Sequence, residues 1–200
     1  MGASERAVPV KGTSRWETPL LTLHLLALAL AIGPAIFFAF AVAPAEFRIL
    51  PTRDMAAALT GPILTRACWL AEASFLVLFA TGWFLSGFWD APRLSRSLLT
   101  RAAVFGMIAS LVIEKLLIQR MEKIRQEAGG LIDNLPAADP LRILLDRYHR
   151  LSTTFFTAEL GAAILVLLVT ARLIARRGEI PRAPAAARPP VPKLLDLSDV

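Results

Sequence analysis

PLLTLHLLALALAIGPAIFFAFAVA, residues 19–43, decides the fold. These twenty-five residues carry no formal charge. A helix rising ~1.5 Å per residue needs only ~20 apolar residues to cross the ~30 Å hydrocarbon core of a bilayer. Lipid offers no hydrogen bonds to a backbone, so the run closes its own amides as a helix. Lys11 and Arg15 precede it and Ala41-Val42-Ala43 imitates a cleavage site, but secretory signal cores span only ~7–15 residues. The stretch therefore reads as a retained span. Gly33 and Pro34 fall in its middle, where proline removes one backbone donor and predicts a kink.

Outward from this run the same logic finds three more spans. ACWLAEASFLVLFATGWFLSGFW, residues 67–89, is interrupted only by Glu72, with Trp69 and Trp89 near its two ends, where indoles settle at headgroup level. The loop at 90–97 is short, so the third span, about residues 98–118, is an antiparallel neighbour. Its helix is predicted to leave the membrane through LLIQRMEKIRQEA and stop at Gly129-Gly130. Asp139-Pro140 reads as an N-cap followed by proline at the first helical position, opening a helix that runs into the fourth span at about 151–171. The predicted fold is all-α: a polytopic membrane four-helix bundle with a helical extramembrane hairpin between spans three and four. Residues 1–17 read as a disordered lead, 18–178 as the transmembrane domain, and the Pro/Ala-rich 179–200 as a disordered tail.

Composition agrees. Apolar types make up 56% of the 200 residues and charged types 19%, against ~25% charged in ordinary globular domains. Mean hydropathy is +0.57. The net charge of +6 belongs to Arg and Lys flanking apolar runs, which bind anionic headgroups and set orientation. No zinc-finger spacing or aromatic–basic motif points to nucleic acid. Cys68 is the sole cysteine, so neither an intrachain disulfide nor a CxxC motif exists. With the N-terminus inside, twelve basic residues lie on the inner side and ten on the other. Arg93 and Arg96 in the tight second loop and Arg172, Arg176 and Arg177 after span four favour both termini in the cytoplasm, and the plain setting is a bacterial inner membrane. Membrane lipids are the first partners implied, with membrane protein partners or a homo-oligomer beside them.

Acids inside a bilayer cost ~2.5–3.5 kcal/mol at a helix centre, so they are functional candidates by default. Here they are Glu72, Glu114 and Glu159. Counted from the non-cytoplasmic boundary they lie ~7, ~6 and ~12 Å deep, in one third of the membrane. His149, Ser152, Phe156 and Glu159 share a helical stripe, as do Met107, Ser110 and Glu114, whereas Lys115 points away from Glu114 toward the interface. These residues predict a polar cavity, opening to the non-cytoplasmic side, for a divalent cation, a proton or a polar solute. The opposing reading is structural, with carboxyls hydrogen-bonded across helices or lying in the headgroups. His24 lies at the other end of span one, and reads either as a hydrogen-bonded imidazole or as a single haem ligand. No phosphate loop, Ser/His/Asp arrangement or dinucleotide fingerprint appears.

HLLALALAIGPAIFFAFAVAPAEFRIL, residues 24–50, resembles the opening of the transmembrane protein 205-like domain family, a four-helix membrane domain of unknown function. Gly33, Phe37, Phe38, Pro44 and Phe47 occupy the family's Gly, aromatic-pair and Pro–x–x–Phe positions. YHRLSTTFFTAEL, residues 148–160, is similar to the family's His–x–x–Ser element through His149 and Ser152; Phe156 stands where a polar amide follows in the family. The resemblance spans roughly residues 18–175. Span one also looks like that of bacterial membrane protoporphyrinogen oxidases and copper-resistance D-type proteins, through His24, Gly33 and Phe37. Those oxidases place a lysine within the third helix, a position Lys115 does not match. The likeness to them implies haem or a divalent metal as cofactor and a membrane oxidoreductase. Resemblance to the uncharacterised family instead implies a non-enzymatic protein that binds or moves a small cation or solute, or an accessory subunit of a membrane complex.

Overall fold

The computed structural model describes residues 15–130 and 132–178; residues 1–14 of the expected lead, and the expected tail at 179–200, lie outside them. Among the described residues the chain is helical and free of strands. The elements are α1 (Glu17–Phe37), α2 (Ala43–Ile49), α3 (Arg53–Phe88), α4 (Arg93–Val112), α5 (Gln119–Glu127) and α6 (Pro140–Gly178). A wide π-helical turn at Phe38–Val42 joins α1 to α2, and another at Ile113–Ile118 joins α4 to α5. The result is four rods, Glu17–Ile49, Arg53–Phe88, Arg93–Glu127 and Pro140–Arg177, each long and apolar enough to cross a membrane. The all-α four-helix bundle is therefore as the sequence predicts.

Two boundaries differ from the sequence reading. Span two begins not near Ala67 but at Arg53, so that α3 is 36 residues long. Thr52 explains the start, because its side chain accepts the Met55 amide in an N-cap. Rod one likewise continues past Ala43 to Ile49. The stop and start around the hairpin hold. Gly129 and Gly130 take φ of 71° and 79°, backbone that residues with a Cβ adopt at a steric cost, and Asp139 Oδ1 accepts the Leu141 amide at 2.8 Å as α6 opens at Pro140.

The interior is built from small residues. Ala27, Ala31, Ala71, Ala102, Ala103 and Ala163 pack with Phe75, Leu78 and Val166 in one core. Small side chains let helix backbones approach closely, which is how helices associate where lipid tails are as apolar as leucine. Gly106 marks the tightest approach: a Cβ there would stand 2.3 Å from the Phe75 ring. Outward faces carry the large apolar groups instead, including Phe40, Leu76, Trp83, Phe84 and Leu168, each more than half exposed. Such a surface is unsuited to water and suited to lipid. Polar ties join the helices at one end and within the bundle. Trp89 donates its indole N–H to Glu17 at 2.8 Å and Arg177 pairs with the same carboxylate, while Ser110 reaches the Cys68 carbonyl at 3.1 Å between α4 and α3.

Candidate functional site

His24 is 1% exposed and lies between two threonines. Its Nδ1 is 2.7 Å from the Thr81 hydroxyl and its Nε2 3.0 Å from that of Thr170. Thr81 donates its own proton to the Val77 carbonyl, so its oxygen accepts from His24 Nδ1–H, and Nε2 is left to accept from Thr170. One tautomer satisfies all three groups. Both ring nitrogens are thereby engaged between spans one, two and four, which matches the hydrogen-bonded reading of His24 and leaves no nitrogen directed at a ligand.

The three carboxylates lie within electrostatic reach of one another around Cys68 on α3, each in a different local setting. Glu114 accepts from Trp69 Nε1 at 2.8 Å and from Lys115 Nζ at 2.8 Å. Lys115 thus folds back onto Glu114 rather than pointing away, because the wide turn at 113–118 and the long lysyl chain allow neighbouring residues to meet. Glu159 is 5% exposed and borders a narrow crevice with Cys68, Pro34 and Phe156, its Oε2 without a hydrogen-bond partner. Glu72 is half-buried on α3, with Oε1 also lacking a partner. Ser152 turns inward but returns its hydroxyl to the His149 carbonyl at 2.9 Å. Among the described residues no three His, Cys, Asp or Glu side chains stand close enough to hold a metal ion.

A larger cavity lies further along the rods, and of the predicted residues only His149 lines it. It encloses about 580 Å³, within the ~300–1,000 Å³ range of small-molecule sites. Its walls come from the turn after α1, from α2, from the early part of α3, from α5 and from the start of α6. Phe38, Phe47, Ile118, Met121 and Leu145 make it apolar, whereas Arg53, Asp54, Arg125, Asp133, Arg142 and Asp146 bring charge to it.

Sequence separation hides how this cavity is held. Asp133 Oδ2 accepts the Arg53 amide at 2.6 Å and the Asp54 amide at 3.4 Å, and Asp54 Oδ2 accepts the Asp133 amide at 3.1 Å. The hairpin carboxylate thus caps the N-terminus of α3, where unsatisfied amides and the helix dipole favour an anion. Arg142 extends the clamp by donating to the Leu135 carbonyl at 2.8 Å. On the α2 side, Glu46 is buried and pairs with the Thr60 hydroxyl. Arg125 Nη1 stands 3.8 Å from Glu122; Arg125 Nε and Glu46 Oε1 are buried without a hydrogen-bond partner. The N-cap pattern at Thr52 was the signal in the sequence that could have placed the start of α3 at Arg53.

Compared with family models, curated proteins and solved structures, the chain finds no match.

Proposed function

We propose that this protein is a multi-pass membrane protein that binds a small amphiphilic solute in the cavity between α2, α3, α5 and α6. One observation carries the reading: an apolar volume of about 580 Å³ bordered by charged side chains, at the end of rods far longer than a bilayer. Rod two is 36 residues and rod three 35, ~54 and ~52 Å at the helical rise, against ~30 Å of hydrocarbon. The surplus projects the cavity to the membrane surface, where a solute with both an apolar body and a polar head resides. In this reading both termini are cytoplasmic, the cavity opens on the opposite face, and the setting is a bacterial inner membrane. Kinship with the transmembrane protein 205-like family belongs to the same proposal, supported by residues 24–50 and 148–160.

Gly61 gives the test. It lines the cavity, and a Cβ built on it meets nothing within 4 Å, so Gly61→Leu occupies the volume without forcing the backbone. In phosphatidylcholine nanodiscs, ten-carbon amphiphiles with anionic, neutral and cationic heads are titrated while thermal unfolding is followed. At least one raises the midpoint saturably, by about 5–10 °C at a hundred times its Kd, and Gly61→Leu abolishes the rise. No stabilisation by any of them, or an undiminished response in Gly61→Leu, removes the reading.

A further inference from the structure

Around Cys68, three buried carboxylate oxygens have no hydrogen-bond partner: Oε1 of Glu72, Oε2 of Glu114 and Oε2 of Glu159. The charges there do not balance either. Lys115 answers Glu114 at 2.8 Å, whereas Glu72 and Glu159 make no ion pair and no hydrogen bond among the described residues. Few charged or titratable groups face Glu159. Cys68 and Glu72 come from α3, and Glu114 with Lys115 stands beyond them on the wide turn at 113–118. α1 brings no titratable side chain to the crevice, and α4 has none between Ala102 and Val112. His24 meets α6 only at Thr170, about three turns further along. An ionised carboxylate within a span, with neither a donor nor a counter-ion, is among the costliest groups a membrane protein can bury.

The crevice beside Glu159 selects the cation that answers it. It encloses about 10 Å³, room for about one water molecule, and among the described residues no three ligating side chains stand close enough for a metal ion. Its polar border consists mainly of acceptors. Glu159, 5% exposed, offers only lone pairs when ionised. Pro34 also lines the crevice and has no amide hydrogen, so the carbonyl of Leu30, on the same wall, lacks the donor that a regular helix supplies. The Cys68 thiol, the remaining polar group there, is a weak donor. A proton adds no volume, cancels the charge and turns one carboxylate oxygen into a donor. We propose that Glu159 is a proton-binding site inside the bundle, exchanging its proton with water through the crevice between α1, α3 and α6. The site is separate from the larger cavity, since the two share no lining residue.

Infrared difference spectroscopy of the full chain in phosphatidylcholine nanodiscs tests this, because the C=O stretch of a carboxylic acid stands apart from carboxylate and amide bands. The wild-type protein shows that band at neutral pH. It shifts to lower frequency within hours of transfer to heavy water, and it disappears reversibly as the pH is raised, while the amide bands of the helices stay in place. Glu159→Gln keeps the shape of the side chain and removes the band. Absence of an acid band from the wild-type protein at neutral pH overturns the proposal without reference to any variant. A band undiminished in Glu159→Gln places the proton on another group and overturns it equally. A band that fails to shift in heavy water identifies a sealed structural acid, which contradicts an exchanging site.

Discussion

At the scale of single residues, a polar group inside the bundle is explained by its partners. His24 is conspicuous in an otherwise apolar run, and its presence there was legible. Thr81 and Thr170 were not, since they lie 57 and 146 residues away and threonines in helices give no hint of what they face. The geometry makes His24 a strut between three spans. Thr170→Val keeps the shape and removes the hydroxyl, stranding Nε2; it lowers stability by about 1–2 kcal/mol, while Thr170→Ser retains most of it. Thermal unfolding in detergent reads the difference, and an unchanged midpoint in Thr170→Val contradicts the strut. Glu114 teaches the complementary lesson. Its depth marked it as a site candidate, and Trp69 and Lys115 engage its Oε1, while its buried Oε2 stays without a hydrogen-bond partner.

At the scale of elements, apolar run length settled what the sequence could settle. Spans one, three and four were legible because long apolar runs, unbroken in the first and interrupted in the fourth only by Glu159 and in the third by Arg101 and Glu114-Lys115, leave few alternatives, and the hairpin because Gly129-Gly130 and Asp139-Pro140 are strong punctuation. The first fourteen residues of α3 escaped because Arg53, Asp54, Pro62 and Arg66 break the apolar pattern that identifies a span. Their helix is held instead by Thr52 and by Asp133, a tertiary cap that no local reading can find. Asp133→Ala therefore frays the first turn of α3, by about 0.5–2 kcal/mol, the usual worth of an N-cap. Hydrogen exchange at the Arg53 and Asp54 amides accelerates accordingly, while amides deep in α3, around Phe75, keep their protection. Unchanged exchange at Arg53 and Asp54 contradicts the cap.

For the whole molecule, the cavity is what the sequence could not show. Its walls come from segments as far apart as 38–62 and 118–149, a property of assembled helices rather than of any motif. The sequence placed the site among intramembrane acids; the structure sets those acids near one another around Cys68, beside a narrow crevice, and of the predicted site residues the larger cavity takes only His149. All of this requires the third rod to pass through lipid, with its two ends in different compartments. Cys68, the only cysteine, is buried, so Cys68→Ala supplies a background for single reporters at Ser95→Cys and Gln126→Cys. Labelling intact inverted and right-side-out vesicles with a membrane-impermeant maleimide is the most direct test. The account predicts that position 126 reacts in right-side-out vesicles and position 95 in inverted ones; reaction of both from the same side contradicts it.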